Sequence, residues 1–373
     1  MEKKKYESAG LEIRLVGVFL ILTVVFVEGA SFFGLWGAIK PYWLRTGLAE
    51  IVMCSPVLIY AFACKGQFIS MLRLNPIKIR VVLLAIVVEI CVTPLAGLCN
   101  LITGLFTPNV VDNVLGGNAD TTPYALMILS MAVVPAIVEE LAMRGIILNA
   151  FSRSGRKFAA IVFASVCFGL IHGNINQFAY AFIVGMVMAL VDEAADSVFP
   201  SIAMHFFTNG FSITVMYIMQ YTAIAEEQAR DILARIGEET PEAEIVLPEE
   251  LVETLTNITM IISIAVVAVL AVGGLFAASK LISKIAEISG RTEYMKSIKP
   301  KFGKRKKAAV EAENAGATNA YAASSSYASA PMTSGVPELP KTKILNPVLI
   351  IGMAIWVGLM ILYELIVQGV IKL

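Results

Sequence analysis

Val133–Leu148 reads VVPAIVEELAMRGIIL: an apolar run that carries two carboxylates, Glu139 and Glu140, and one guanidinium, Arg144. An ionisable side chain at membrane depth costs about 2.5–3.5 kcal/mol on insertion scales, so such a group needs a partner or a function. On a helix, Glu140 and Arg144 stand at i,i+4 with the acid on the N-terminal side, the favourable order for an ion pair. Glu139 then points about 100° away and is the glutamate left to face a cavity. Pro135, one turn earlier, is expected to loosen the helix there.

Working outward from this run, the only two histidines of the chain, His172 and His205, also fall in apolar stretches. Phe168 and His172 are i,i+4, and so are His205 and Asn209, so each helix presents one polar stripe. Three stripes turned inward would make a wet pocket holding Glu139, His172, His205 and Asn209. A carboxylate and an imidazole can activate water as general bases, and a second imidazole with an amide N–H can stabilise an oxyanion. Alternatively, Glu139, His172 and His205 are a ligand set for a catalytic Zn²⁺ with an open fourth position. Taken singly, each group has a structural reading: an ion-pair clamp, or an interhelical hydrogen bond. The coincidence of three stripes that use both histidines favours chemistry. No HExxH motif is present, and Ser152 and Ser154 have no histidine nearby in sequence.

The 373 residues are 57% hydrophobic and 16% charged, too apolar for a soluble domain. The expected fold is all-α: a polytopic membrane bundle of about eight core helices plus one C-terminal helix. Apolar spans lie near 13–35, 46–64, 79–103, 123–150, 158–172, 175–191, 197–221, 257–280 and 345–368. The turn between the fifth and sixth is His172–Asn176. Cys54, Cys64, Cys91, Cys99 and Cys167 read as small buried hydrophobes. Basic residues fall in alternate loops, which puts the N-terminus in the cytoplasm; the acidic loop Asp192–Asp196 is the exception. The division that follows has N-terminal helices at 1–70, a catalytic core at 71–221 and an acidic extracytoplasmic loop at 222–256. A helix at 257–280, a basic then disordered linker at 281–344 and a last helix at 345–373 complete it. The last helix is expected to be an accessory, loosely docked. Partners are membrane lipids and a protein or peptide; no nucleic acid is expected.

Glu139-Glu140-xxx-Arg144, Phe168-xxx-His172 and His205-xxx-Asn209 together resemble the three motifs of the CAAX protease and bacteriocin-processing (CPBP, or Abi) intramembrane proteases. That family includes the type II CAAX prenyl endopeptidases. The resemblance covers residues 70–215, with Leu72–Pro76 similar to the segment that leads into the family's core. It implies a helical core with a conical cavity and hydrolysis of a peptide bond near the terminus of a substrate, which is lipid-modified in some members. By position, Glu139 and His172 would activate water, His205 and Asn209 would form the oxyanion site, and Glu140 and Arg144 would support them. The implied setting is a bacterial plasma membrane. The competing reading is a non-catalytic scaffold or bacteriocin-immunity protein that binds a peptide in the same cavity.

Overall fold

Long apolar runs in a low-dielectric medium must satisfy their own backbone groups, and helices do this within one segment. The computed structural model describes residues 2–63, 71–107, 122–235, 248–298 and 343–371, and among these the chain is helical with no strand. The helices are α1 (Glu2–Phe32), the short α2 (Leu35–Ala38), α3 (Tyr42–Ala63), α4 (Ile79–Gly104), α5 (Tyr124–Ser152), α6 (Lys157–Leu170), α7 (Ile175–Ala195), α8 (Phe199–Arg235), α9 (Glu249–Ile288), α10 (Thr292–Lys296) and α11 (Pro347–Val367). Eight of the described helices are long and apolar enough to cross a membrane; α6 is shorter. The chain is therefore an integral membrane protein with an all-α, polytopic fold. Cys64, Asp112, Asp120, the basic run 299–307 and the expected linker 308–340 lie outside the described residues.

Two departures from the sequence reading matter for the site. First, α5 is not a uniform α-helix: Leu129–Val133 and Leu141–Ile147 are π-helical, on either side of the α-helical Val134–Glu140. Wider turns of this kind appear mostly where a helix must re-aim side chains. Second, α6 has 14 residues, about 21 Å at 1.5 Å per residue, short of a hydrocarbon core about 30 Å thick. The turn that follows it, His172–Asn174, is thereby held below one membrane surface if Lys157 sits at the other. Gly173 takes a left-handed φ of 71° in this turn, and the Asn174 side chain caps α7 by accepting from the Gln177 N–H at 2.9 Å.

At the basic end of the bundle the structure gathers Arg73, Glu193, Asp196, Arg291 and Tyr294. Arg73 pairs with Glu193 at 2.8 Å and with Asp196 at 3.3 Å, and Arg291 reaches Asp196 at 3.3 Å. Tyr294 donates to Glu193 at 2.5 Å; burial and this neighbouring carboxylate hold its hydroxyl far above the ordinary range. The acidic loop that breaks the charge alternation is thus neutralised by the arginines packed on it. The helices α8 and α9 run on past their spans as helix into the acidic segment.

The last helix, expected as a loosely docked accessory, packs closely on α1. Gly17 and Gly352 let the two backbones meet: a Cβ on Gly17 would lie 2.5 Å from the Leu349 nitrogen, and one on Gly352 would lie 2.9 Å from the Gly17 oxygen. Small residues at such crossings permit the packing that holds membrane helices together. Trp356 is buried there and donates to the Leu20 carbonyl at 3.2 Å. At the far end, Glu364 accepts from the first N–H of α7, Ile175, and from the Thr107 hydroxyl, each at 3.1 Å. We therefore expect Gly17→Leu to force α11 off α1 and lower stability by about 1–3 kcal/mol, read as a lower melting temperature in detergent. Gly29→Leu, on the same helix with nothing within 4 Å of its would-be Cβ, should leave it unchanged. Equal melting of the two variants would show that the α1–α11 crossing is not a tight one.

Candidate active site

The site grows from Arg144, which is 2% exposed at the middle of the bundle. Its Nη1 donates to Glu140 Oε1 at 2.8 Å, the pair expected from spacing. Glu140 is fully buried, and the same Oε1 also accepts from His205 Nδ1 at 2.9 Å. One carboxylate therefore ties α5 to α8. The guanidinium lies over the Phe168 ring, 4.0 Å from its centroid, a cation–π contact that strengthens where water is excluded. Gly185 makes room for both: a Cβ there would meet Phe168 at 3.1 Å and Arg144 at 3.2 Å. Phe168 in turn presents its ring to both imidazoles, at 5.0 Å from His172 and 5.9 Å from His205, each nearly perpendicular. The aromatic of the second motif is thus the plate on which Arg144 and both histidines are set.

Hydrogen-bond partners fix the tautomers. His172 Nδ1 lies 2.8 Å from the Phe168 carbonyl oxygen. A carbonyl can only accept, so Nδ1 carries the proton and Nε2 keeps its lone pair. The Asn209 amide nitrogen donates to the Met131 carbonyl at 2.9 Å and meets His205 Nε2 at 3.2 Å. Since the carbonyl requires N–H, the amide orientation is settled, and His205 Nε2 is the acceptor of the second N–H. Its Nδ1–H then points at Glu140. The Met131 carbonyl is itself a product of sequence: four residues on stands Pro135, which has no N–H to offer it. The proline expected to loosen α5 frees an acceptor, and Asn209 occupies it.

Glu139, 4% exposed, turns away from this chain toward α3, where its carboxyl lies within hydrogen-bonding reach of that of Glu50. Oε2 of each is enclosed, with no amide, hydroxyl or ammonium donor among the described residues. The structure thus brings together Glu140, Arg144, His205 and Asn209, with His172 joined to them through Phe168, and places Glu139 beside a group the sequence reading passed over. Glu89 on α4 was passed over too; it is 1% exposed and accepts from the Thr208 hydroxyl at 2.6 Å. Both are single carboxylates in apolar spans, the same signal that singled out Glu139. Where a wet pocket is expected from the three stripes, Glu140, His205 and Asn209 hydrogen-bond one another, while Glu139 Oε2 and Glu140 Oε2 are buried without a partner among the described residues.

A resident Zn²⁺ would need three donors converging on one point. Among the described residues no group of three or more His, Cys, Asp and Glu does so. Both nitrogens of His205 are engaged by Glu140 and Asn209, and Glu139 is engaged by Glu50. As placed, these side chains do not converge as a resident Zn²⁺ would require.

Residues 121–211 match the family model described as type II CAAX prenyl endopeptidase Rce1-like. The match contains all three motifs and is narrower than the 70–215 span of the resemblance. It excludes Leu72–Pro76, Glu50, Glu89 and α11. No match is found among curated proteins or among solved structures.

The doubly used carboxylate yields a prediction. Glu140→Ala strips Arg144 of its counter-charge and His205 of its acceptor, and should cost about 3–5 kcal/mol. Glu139→Ala leaves only Glu50, which can take up a proton, and should cost much less. Thermal melting of both variants in one detergent checks this; a Glu140→Ala protein as stable as wild type alongside a destabilised Glu139→Ala would reverse the roles of the two glutamates.

Proposed function

We propose, from the match of residues 121–211 to the type II CAAX prenyl endopeptidase family model, that the protein is an intramembrane endopeptidase that cuts a peptide bond near the terminus of a membrane-associated protein or peptide. The observation that carries this reading is the pinning of the two imidazoles in complementary states. His172 has a free lone pair on Nε2, and His205 has Nε2 beside a side-chain amide donor.

In the reaction, Glu139 takes a proton from water while His172 Nε2 accepts the water's other hydrogen and orients it. The oxygen attacks the scissile carbonyl carbon, and the carbonyl electron pair moves onto its oxygen. That oxygen enters between Asn209 and His205. It takes the amide N–H that Asn209 gives to His205 at rest, with the His205 ring as the other wall of the oxyanion site. The Met131 carbonyl keeps the Asn209 amide aimed throughout, so little reorganisation accompanies charge development. Collapse expels the amine, which leaves with a proton from the carboxyl side. Glu140 and Arg144 touch no reacting atom; they position His205 and Phe168. The proposed setting is a bacterial plasma membrane with a cytoplasmic N-terminus.

The test uses purified full-length protein in lipid nanodiscs and an internally quenched peptide ending in a farnesylated CAAX box, beside the same peptide without the lipid. Wild type should cleave, and Glu139→Gln and His172→Ala should each lower kcat by about 100-fold or more. Equal cleavage of the two peptides would mean that the lipid is not read. Wild type inactive on both, or variants with wild-type kcat, would overturn the protease reading in favour of a peptide-binding scaffold. A metal chelator should leave the rate unchanged. One tightly bound Zn²⁺ per chain, lost with activity in His172→Ala, would reverse that expectation.

A further inference from the structure

Glu50 stands midway along α3, outside the residues matched to the family. Its direction is imposed by the helix. Gly47, Cys54, Val57 and Ala61 share the buried stripe with it, while Leu48, Ile51, Ile59 and Phe62 face outward. This stripe lies against α5, and the two carboxyls meet there. A hydrogen bond between carboxyl groups exists only if one of them carries the proton, since two carboxylates have no donor between them. Like charges this close do not both ionise, and the pair holds one proton as a unit. Among the described residues no lysine, arginine, amide or hydroxyl is supplied to the enclosed Oε2 atoms. An interhelical clamp does not need this: an asparagine or serine would bridge α3 and α5 without bringing two acids together.

We propose that Glu50 is the second member of a catalytic carboxyl dyad with Glu139, an inference that rests on the endopeptidase reading. The dyad starts with one proton. Its ionised carboxylate takes a proton from water as the water oxygen bonds to the scissile carbon and the carbonyl pair moves onto oxygen. Its acid then gives a proton to the departing amide nitrogen as the C–N bond breaks and the oxygen's electron pair re-forms the carbonyl. The water hydroxyl stays on the new carboxyl group, the amine leaves with one proton, and the dyad again holds one. The pair thereby supplies the base and the acid that hydrolysis needs in sequence, and it leaves His172 to orient water and His205 with Asn209 to hold the oxyanion.

Glu50→Gln is the deciding variant, because glutamine keeps the shape and can donate to Glu139 but has no proton to exchange. With the farnesylated quenched peptide and full-length protein in nanodiscs, kcat should fall by about 100-fold or more with KM within about threefold. Glu50→Asp, which restores a carboxyl, should recover about tenfold over Glu50→Gln. Wild-type kcat in Glu50→Gln, with Glu139→Gln inactive in the same assay, overturns the dyad while leaving the protease reading intact. Infrared difference spectra judge the shared proton without any turnover. A protonated-carboxyl carbonyl band present in wild type and lost in both Glu50→Gln and Glu139→Gln supports it. A band unchanged in both overturns it, whatever the activity.

Discussion

The constraint on which the site depends is that Arg144 cannot be left bare. A guanidinium at the centre of an apolar bundle needs a carboxylate, and Glu140 supplies it at 2.8 Å. Once Glu140 is fixed, its oxygen also orients His205; once His205 is fixed, its second nitrogen meets Asn209; and Asn209 is held in turn by the carbonyl that Pro135 leaves free. The chain of dependence runs between two helices, α5 and α8, without a gap. Its members have few alternative arrangements, because each change would strand a polar group in a low-dielectric interior. Phe168 completes the set by giving the guanidinium a face and the imidazoles an edge.

Much of this was legible in sequence because helical spacing is a strong geometric statement. The i,i+4 relation predicts the Glu140–Arg144 contact and the Asn209–His205 contact, and both are present. The link from Glu140 to His205 was not legible: it crosses from α5 to α8, and only packing decides which stripes meet. The π-helical segments were hidden for a similar reason, since Leu129–Val133 and Leu141–Ile147 contain nothing that distinguishes them from an α-helix. Glu50, Glu89 and Glu364 were legible and were missed. Each is a lone acid in an apolar span, and attention fell on clusters when the physics applies to single charges equally.

Charge counting has the opposite weakness. It registers residues by side and does not see pairs, so the acidic Asp192–Asp196 loop looked like an exception at the basic end. In the structure Arg73 and Arg291 converge on Glu193 and Asp196 from segments far apart in sequence. That end of the bundle is therefore a near-neutral knot joining the segment before α4, the end of α7 and the segment after α9. Composition also misjudged the last helix. An Ala/Ser-rich stretch before it invites the view of a tethered appendage, whereas the Gly17–Gly352 crossing is written in two small residues more than 300 positions apart.

The closed state of the site follows from the same economy of partners. His205 and Asn209 face each other, and Glu139 faces Glu50, so these four groups are occupied by one another at rest, while His172 keeps its Nε2 lone pair. A peptide carbonyl must replace the Asn209–His205 contact, and water must enter beside the carboxyl pair. These are exchanges of hydrogen bonds, and exchanges cost far less than the desolvation of unpaired groups. Glu140 and Arg144 are held to each other by charge, while Asn209 and His205 meet through a single hydrogen bond. The last helix braces the N-terminus of α7, which follows the His172 turn. His172 is thus mounted on a turn held between α6 and the braced start of α7.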